Sequence, residues 1–130
     1  MPLHPIIRIR NKKNETSIYF SLKSDLWEFF LGQQYQLDKV HANGIKVNGC
    51  AILPFQKSFI TDCFKQEARD LVNAWIRNSH FDAVIDFDKE MASETDSKTI
   101  LSNMHESDFL HPNELGYQRM GEIIDLKLFK

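Results

Sequence analysis

Asp108 and His111 stand three residues apart in the run Ser107-Asp108-Phe109-Leu110-His111-Pro112-Asn113, with Gly116-Tyr117 close behind. A carboxylate at that distance can hold one nitrogen of the imidazole while the other faces a substrate or a nucleophile. That is the arrangement of a charge-oriented general base. Pro112 cannot continue a helix from upstream, and Asn113 is a good N-cap. The pair is therefore expected on a loop that runs into a helix. His105 extends the series at the same spacing, and a His/Asp/His set on one helix face would suit zinc or iron. On a loop the three do not share such a face, so base chemistry is preferred and no metal is expected. Asp82, Asp86 and Asp88 lack the Gly and terminal Glu of a calcium loop and read as solvated strand ends. Cys63 has no neighbour in sequence that would activate its thiol, and Trp75 and Phe64, which could line an acyl pocket, read first as core.

The elements that must position this pair alternate along the chain. Ile6-Ile7-Arg8-Ile9 and Ser17-Ile18-Tyr19-Phe20-Ser21-Leu22 are β-prone runs around a polar turn, which predicts an N-terminal β-hairpin. A helix capped by Ser24 or Asp25 then runs to about His41, with Leu26, Phe29, Phe30, Leu37 and Val40 on its inner side and Asn43-Gly44 to end it. Ile45 to Leu53 reads as a strand stopped by Pro54. Its second half, with Cys50 inside, is apolar at consecutive positions, so both faces should be covered and the thiol buried. Phe64, Ala68, Leu71, Val72, Trp75 and Ile76 recur at helical spacing, leaving Lys65, Glu67, Arg69 and Asp70 on other faces. Ala83 to Phe87 is a second strand, and residues 89 to 107 read as a long polar loop with room for one helical turn. The last helix opens at Asn113 and should turn Tyr117, Met120, Ile123, Ile124 and Leu128 inward. Helix, strand, helix, strand, loop and helix predict an α/β fold with parallel strands, whose reactive groups gather beyond the strands' carboxyl ends.

Composition sets the outer limits. At 130 residues, 42% hydrophobic and 26% charged, the chain has the size and make-up of one ordinary globular domain. A net charge of −2 without Lys/Arg runs gives no footprint for nucleic acid. No apolar stretch reaches the ~18 to 20 residues of a membrane span, and the opening residues do not lead into a signal-peptide core. Two cysteines, Cys50 and Cys63, make neither a disulfide framework nor a Cys-x-x-Cys motif.

Taken in order, several blocks carry a family likeness. They are Ala42-Asn43-Gly44-Ile45-Lys46-Val47, Leu53-Pro54-Phe55, Arg69-x-x-Val72-Asn73-x-Trp75-Ile76-Arg77, Phe81 to Asp88, and Asp108-x-x-His111-Pro112-Asn113-x-x-Gly116-Tyr117. The chain from about Gln33 to Phe129 resembles the C-terminal half of the GDSL-type, or SGNH, ester hydrolases. This divides it into an atypical segment, 1–32, and the back half of a hydrolase domain, 33–130. The resemblance implies a partial flavodoxin-like three-layer α/β/α sandwich and serine-dependent ester hydrolysis without a cofactor, on a small ester substrate. His111 would be the base and Asp108 the residue that orients it. The family's Gly-Asp-Ser nucleophile motif is absent from these 130 residues, and its oxyanion-hole Gly and Asn blocks are absent from the first 32. An inactive fragment of an esterase is the expectation, with a non-catalytic interaction module keeping the back half of the fold as the alternative. A strand left without its neighbour would also offer an edge for self-association.

Overall fold

Asn73, near the middle of a helix, holds both backbone groups of a residue 21 positions earlier in the chain. Its Oδ1 accepts the Ile52 N–H at 2.7 Å, and its Nδ2 donates to the Ile52 carbonyl at 2.9 Å. The computed structural model describes residues 15–130, with side chains from Leu26 onward. Its elements are α1 (Glu15–Ala42), β1 (Asn48–Cys50), α2 (Cys63–Asn78), β2 (Ala83–Ile85), α3 (Phe87–Met91) and α4 (Glu114–Glu122), followed by a 3₁₀ turn, Leu126–Phe129. Strands β1 and β2 pair in parallel, Gly49 opposite Val84, with α2 as the crossover between them. The α/β class and the parallel pairing are as the sequence predicts. The strands are shorter than the predicted runs, and among the described residues the sheet has two of them.

Asp62 starts α2 by accepting the Lys65 N–H at 2.7 Å, the side-chain cap that an exposed helix start requires. The face that α2 turns inward is polar. Gln66, Arg69, Asn73 and Ile76 are buried at helical spacing, whereas Leu71 is 38% exposed. Arg69 was expected on an outer face and is 4% exposed, its guanidinium paired with Asp88. The apolar residues of α2 serve its flank. Trp75 stacks on Phe30 of α1 at 5.4 Å and meets the edge of Phe81 at 5.7 Å. Phe81 in turn covers Gly49, where an added Cβ would come within 2.8 Å of the ring. Trp75, half-buried, thus ties α1 to the sheet through these rings rather than sitting in the buried core.

Several expectations need correction. Ser17–Leu22 is helical, so it is not a hairpin arm; Ile6–Ile9 lie outside the described residues. No Gly or Pro interrupts the chain from Glu15 to Leu31, and β-propensity yields to such a helical context. Cys50 is exposed rather than buried, because the strand covers one face only: Gly49 and Ala51 are buried while Cys50 and Ile52 point outward. Segment 89–107 is a loop after the one helical turn that ends α3, as the sequence predicts, but a compact one. Met91 and Ile100 have 0% exposure, and the chain folds back on itself through an Ala92–Ile100 bridge. Phe87 begins α3 instead of ending a strand, and α4 stops at Glu122 with Tyr117 61% exposed. Leu128 lies in the 3₁₀ turn beyond it.

The three aspartates read as solvated strand ends are all partnered. Asp82 accepts from the Val47 N–H at 2.7 Å and meets His41 Nε2 at 2.9 Å, fixing the end of α1. Arg77 grips Asp86 through two nitrogens, at 2.7 and 2.8 Å, and reaches Asp88 at 2.8 Å. The Arg77 bond holds the Asp86 carboxyl below its ordinary range. Its stabilisation is complete above the unfolded value of 3.8 and drains away as pH falls through the lower folded one. The Asp86 share of stability, read as the difference in urea midpoint between parent and Asp86→Asn, should therefore be level from neutral pH to about 5 and shrink in more acidic buffer. Asn73→Ala should cost about 2 kcal/mol in the same assay, since it strands the Ile52 N–H and leaves the Ile52 carbonyl only the longer bond from Arg69 Nη1 at 3.4 Å. Leu71→Ala on the exposed face should cost less than about 1 kcal/mol.

Candidate active-site loop

Asn113 closes the loop that carries the Asp/His pair. Its side-chain oxygen caps α4 by accepting the Gly116 N–H at 2.9 Å, and its Nδ2 donates back to the carbonyls of Asn103 (3.0 Å) and His105 (3.3 Å). Its own N–H donates to the Met104 carbonyl at 3.1 Å, and the Glu106 N–H donates to the His111 carbonyl at 2.9 Å. With the His105–Pro112 bridge, these bonds draw residues 103–113 into a closed turn at the start of α4. Gly116 is required there, because a Cβ would collide with the Met104 carbonyl and approach the Pro112 ring at 3.0 Å.

Inside the turn the carboxylate and the imidazole meet. Asp108 Oδ2 lies 2.5 Å from His111 Nδ1, while Oδ1 accepts the N–H groups of Leu110 at 3.0 Å and His111 at 2.9 Å. The His111 ring bond, followed by the two amides, holds the Asp108 carboxyl far below the usual carboxylate range. An ionised carboxylate can only accept, so a neutral His111 carries its proton on Nδ1 and presents the Nε2 lone pair outward. The His111 side chain is 62% exposed, and Nε2 has no partner among the described residues. This is the geometry a general base needs: a fixed tautomer and an accessible second nitrogen.

The turn is conformationally unusual. Among the described residues three non-glycines have positive φ: Ser107 (64°) and Phe109 (58°), which flank Asp108, and Lys57 (72°). Lys57 belongs to the connection after β1, and its Nζ sits 5.7 Å from the Phe109 ring centroid. Left-handed backbone at non-glycine residues is costly and persists where the surroundings impose it. Connections that leave both strands at their carboxyl ends thus meet at this turn, as parallel sheets dispose their reactive groups.

The other residues considered for chemistry lie elsewhere. His105 does not join Asp108 and His111 as a ligand set. It is buried, its Nδ1 receives the Phe109 N–H at 3.2 Å, and no group of three or more His, Cys, Asp or Glu side chains among the described residues is placed to hold a metal. Cys63 is exposed in the first turn of α2, beside a cleft shared with Thr61, Gln66 and Asp70. A second cleft runs past Arg69, Arg77 and Asp88, and neither cleft is lined by Asp108 or His111. The pair stands on a turn where the His111 side chain is open to solvent. No described helix is long and apolar enough to cross a membrane.

The requirement for glycine at 116 is testable. Gly116→Ala should cost about 1–3 kcal/mol in chemical denaturation, because the methyl has no room. Gly121→Ala, whose added carbon meets nothing within 4 Å, should be neutral or stabilising by up to about 1 kcal/mol. In the comparisons with known proteins, no family model and no curated protein matches this chain.

Proposed function

We propose that this chain carries the acid–base half of a serine-dependent ester hydrolase of the GDSL/SGNH type. The observation that carries the reading is the 2.5 Å contact between Asp108 and His111 Nδ1 on a closed turn that leaves Nε2 facing solvent. In the reaction, His111 Nε2 takes the proton of a serine hydroxyl as its oxygen attacks the ester carbonyl. It returns that proton to the departing alcohol, and water repeats the sequence to release the acid. Asp108 holds the tautomer and stabilises the imidazolium formed at each transfer. The substrate class is a small ester, and no cofactor takes part.

The nucleophile belongs to a Gly-Asp-Ser block outside these 130 residues, and so do the oxyanion donors. Each such donor is worth about a hundred- to a thousandfold in rate. The three-layer α/β/α sandwich belongs to the same proposal: further parallel strands would add beyond β1, whose second edge meets no strand among the described residues. An edge of that kind is equally where two copies would associate.

Two measurements test the reading. The 130-residue chain by itself should hydrolyse a chromogenic acetyl or butyryl ester at the background rate. Saturable turnover abolished by His111→Ala would require a nucleophile within the chain. Next, a family-type N-terminal half with the Gly-Asp-Ser, Gly and Asn blocks is fused ahead of about Gln33. In an active fusion, His111→Ala should lower kcat by several orders of magnitude and Asp108→Asn by less, while Asp86→Asn acts only on stability. A fusion that folds and stays inactive favours the interaction-module alternative, and near-parental turnover in His111→Ala removes His111 as the base.

A further inference from the structure

We propose that His105 is a positioning residue for the Asp108–His111 pair, acting through the Phe109 main chain. The proposal rests on the reading of that pair as an orienting carboxylate and a base. His105 is 9% exposed, and its Nδ1 lies 3.2 Å from the Phe109 backbone nitrogen. A backbone N–H can only donate, so Nδ1 accepts; the bond requires a neutral ring protonated at Nε2. The ring also lies against the Phe109 ring, centroids 4.4 Å apart. The backbone of His105 is fixed as well, by the Pro112 bridge and by Asn113 Nδ2 on its carbonyl at 3.3 Å.

Three successive amides of the turn are thereby assigned. The N–H of Phe109 goes to His105, and those of Leu110 and His111 go to Asp108. Phe109 has φ 58°, a conformation bulky side chains seldom adopt, and Ser107 has φ 64° on the other side of Asp108. The Asp108 carboxylate reaches His111 Nδ1 only while the peptide joining Asp108 to Phe109 keeps this orientation. His105 is the group that holds it. With that acceptor removed, the peptide is free to rotate, the carboxylate leaves the ring, and His111 loses its fixed tautomer. Two imidazoles six positions apart then have opposite proton placements, His105 on Nε2 and His111 on Nδ1, each set by its partner.

Long-range ¹H–¹⁵N spectra of the full 130-residue chain report the tautomer of each imidazole and need no turnover. In alkaline buffer, at a pH where the spectra themselves show both rings neutral, His111 should carry the Nδ1–H form and His105 the Nε2–H form. His105→Asn places an amide oxygen where Nδ1 stood and should retain the His111 Nδ1–H signature. His105→Phe keeps a ring against Phe109 but has no acceptor, and should shift His111 to the commoner Nε2–H form. Retention of the Nδ1–H form in His105→Phe overturns the proposal; so does its loss in a folded His105→Asn. Should His105→Phe fail to fold, it is made together with Phe109→Gly, since glycine takes positive φ without restraint. There the comparison is with Phe109→Gly alone: adding His105→Phe should cost His111 its Nδ1–H form, and retention of that form overturns the proposal. In the active fusion, His105→Phe should lower kcat about ten- to a hundredfold with KM unchanged. A lost tautomer with unchanged kcat would uphold the positioning role and count against His111 as the base.

Discussion

The amide of Asn73 is the constraint on which the βαβ unit depends. A parallel ladder of three residues is too short to hold its own register, and Ile52 lies just where the ladder ends. By supplying one acceptor and one donor to Ile52, Asn73 substitutes a side chain for the strand that would otherwise continue the pairing. Arg69, four residues earlier on the same face, binds Asp88 and so ties α2 to the start of α3. The buried side of α2 is consequently an array of directed bonds, and the apolar work passes to Trp75, Phe30 and Phe81 along its flank. Truncating a member of such an array leaves a partner buried and unpaired, which costs more than the bond itself contributed.

Asn113 has the same part in the turn that Asn73 has in the sheet. One side chain caps α4 and fastens the carbonyls of residues 103 and 105. Because the helix start and the loop closure share that amide, the loop cannot open without uncapping α4. The ionised Asp108 is then presented to His111 by a backbone with little freedom left, so the contact between them is held in one geometry.

What the sequence disclosed follows the range of the interactions involved. The Asp108–His111 contact was legible because it spans four residues, and Pro112-Asn113 mark where the helix must begin. The existence of α2 and the parallel pairing were legible from periodicity and element order. The inward face of α2 was not: hydropathy places Leu71 inside and Arg69 outside, whereas Arg69 and Asn73 are buried by bonds to groups 19 to 21 residues away. Met91 and Ile100 were hidden by the polar residues between them, which concealed a fold-back closed by the Thr99 and Ser93 main chains. His105 was visible only as a possible ligand. Its bond to Phe109 depends on a left-handed backbone that neither Phe nor Ser announces. The β-prone run at Ile18 misled for the opposite reason, its local preference yielding to a long helix without a breaker.

The fold-back from Met91 to Pro112 has a further consequence for how the molecule opens. It encloses its own fully buried pair, Met91 and Ile100, and Arg119 on α4 reaches Glu90 on α3 at 2.9 Å, so helices on both sides close over it. Contact with α1 has no part in these bonds. Local unfolding follows such units, so amide exchange should proceed through the long N-terminal helix well before it reaches Leu101 or Asn113. The segment bearing the pair is anchored instead to the connection after β1, through the Gln56 N–H on the Lys98 carbonyl at 2.9 Å, so fraying of the helix that accounts for the largest share of the regular structure would leave these bonds in place.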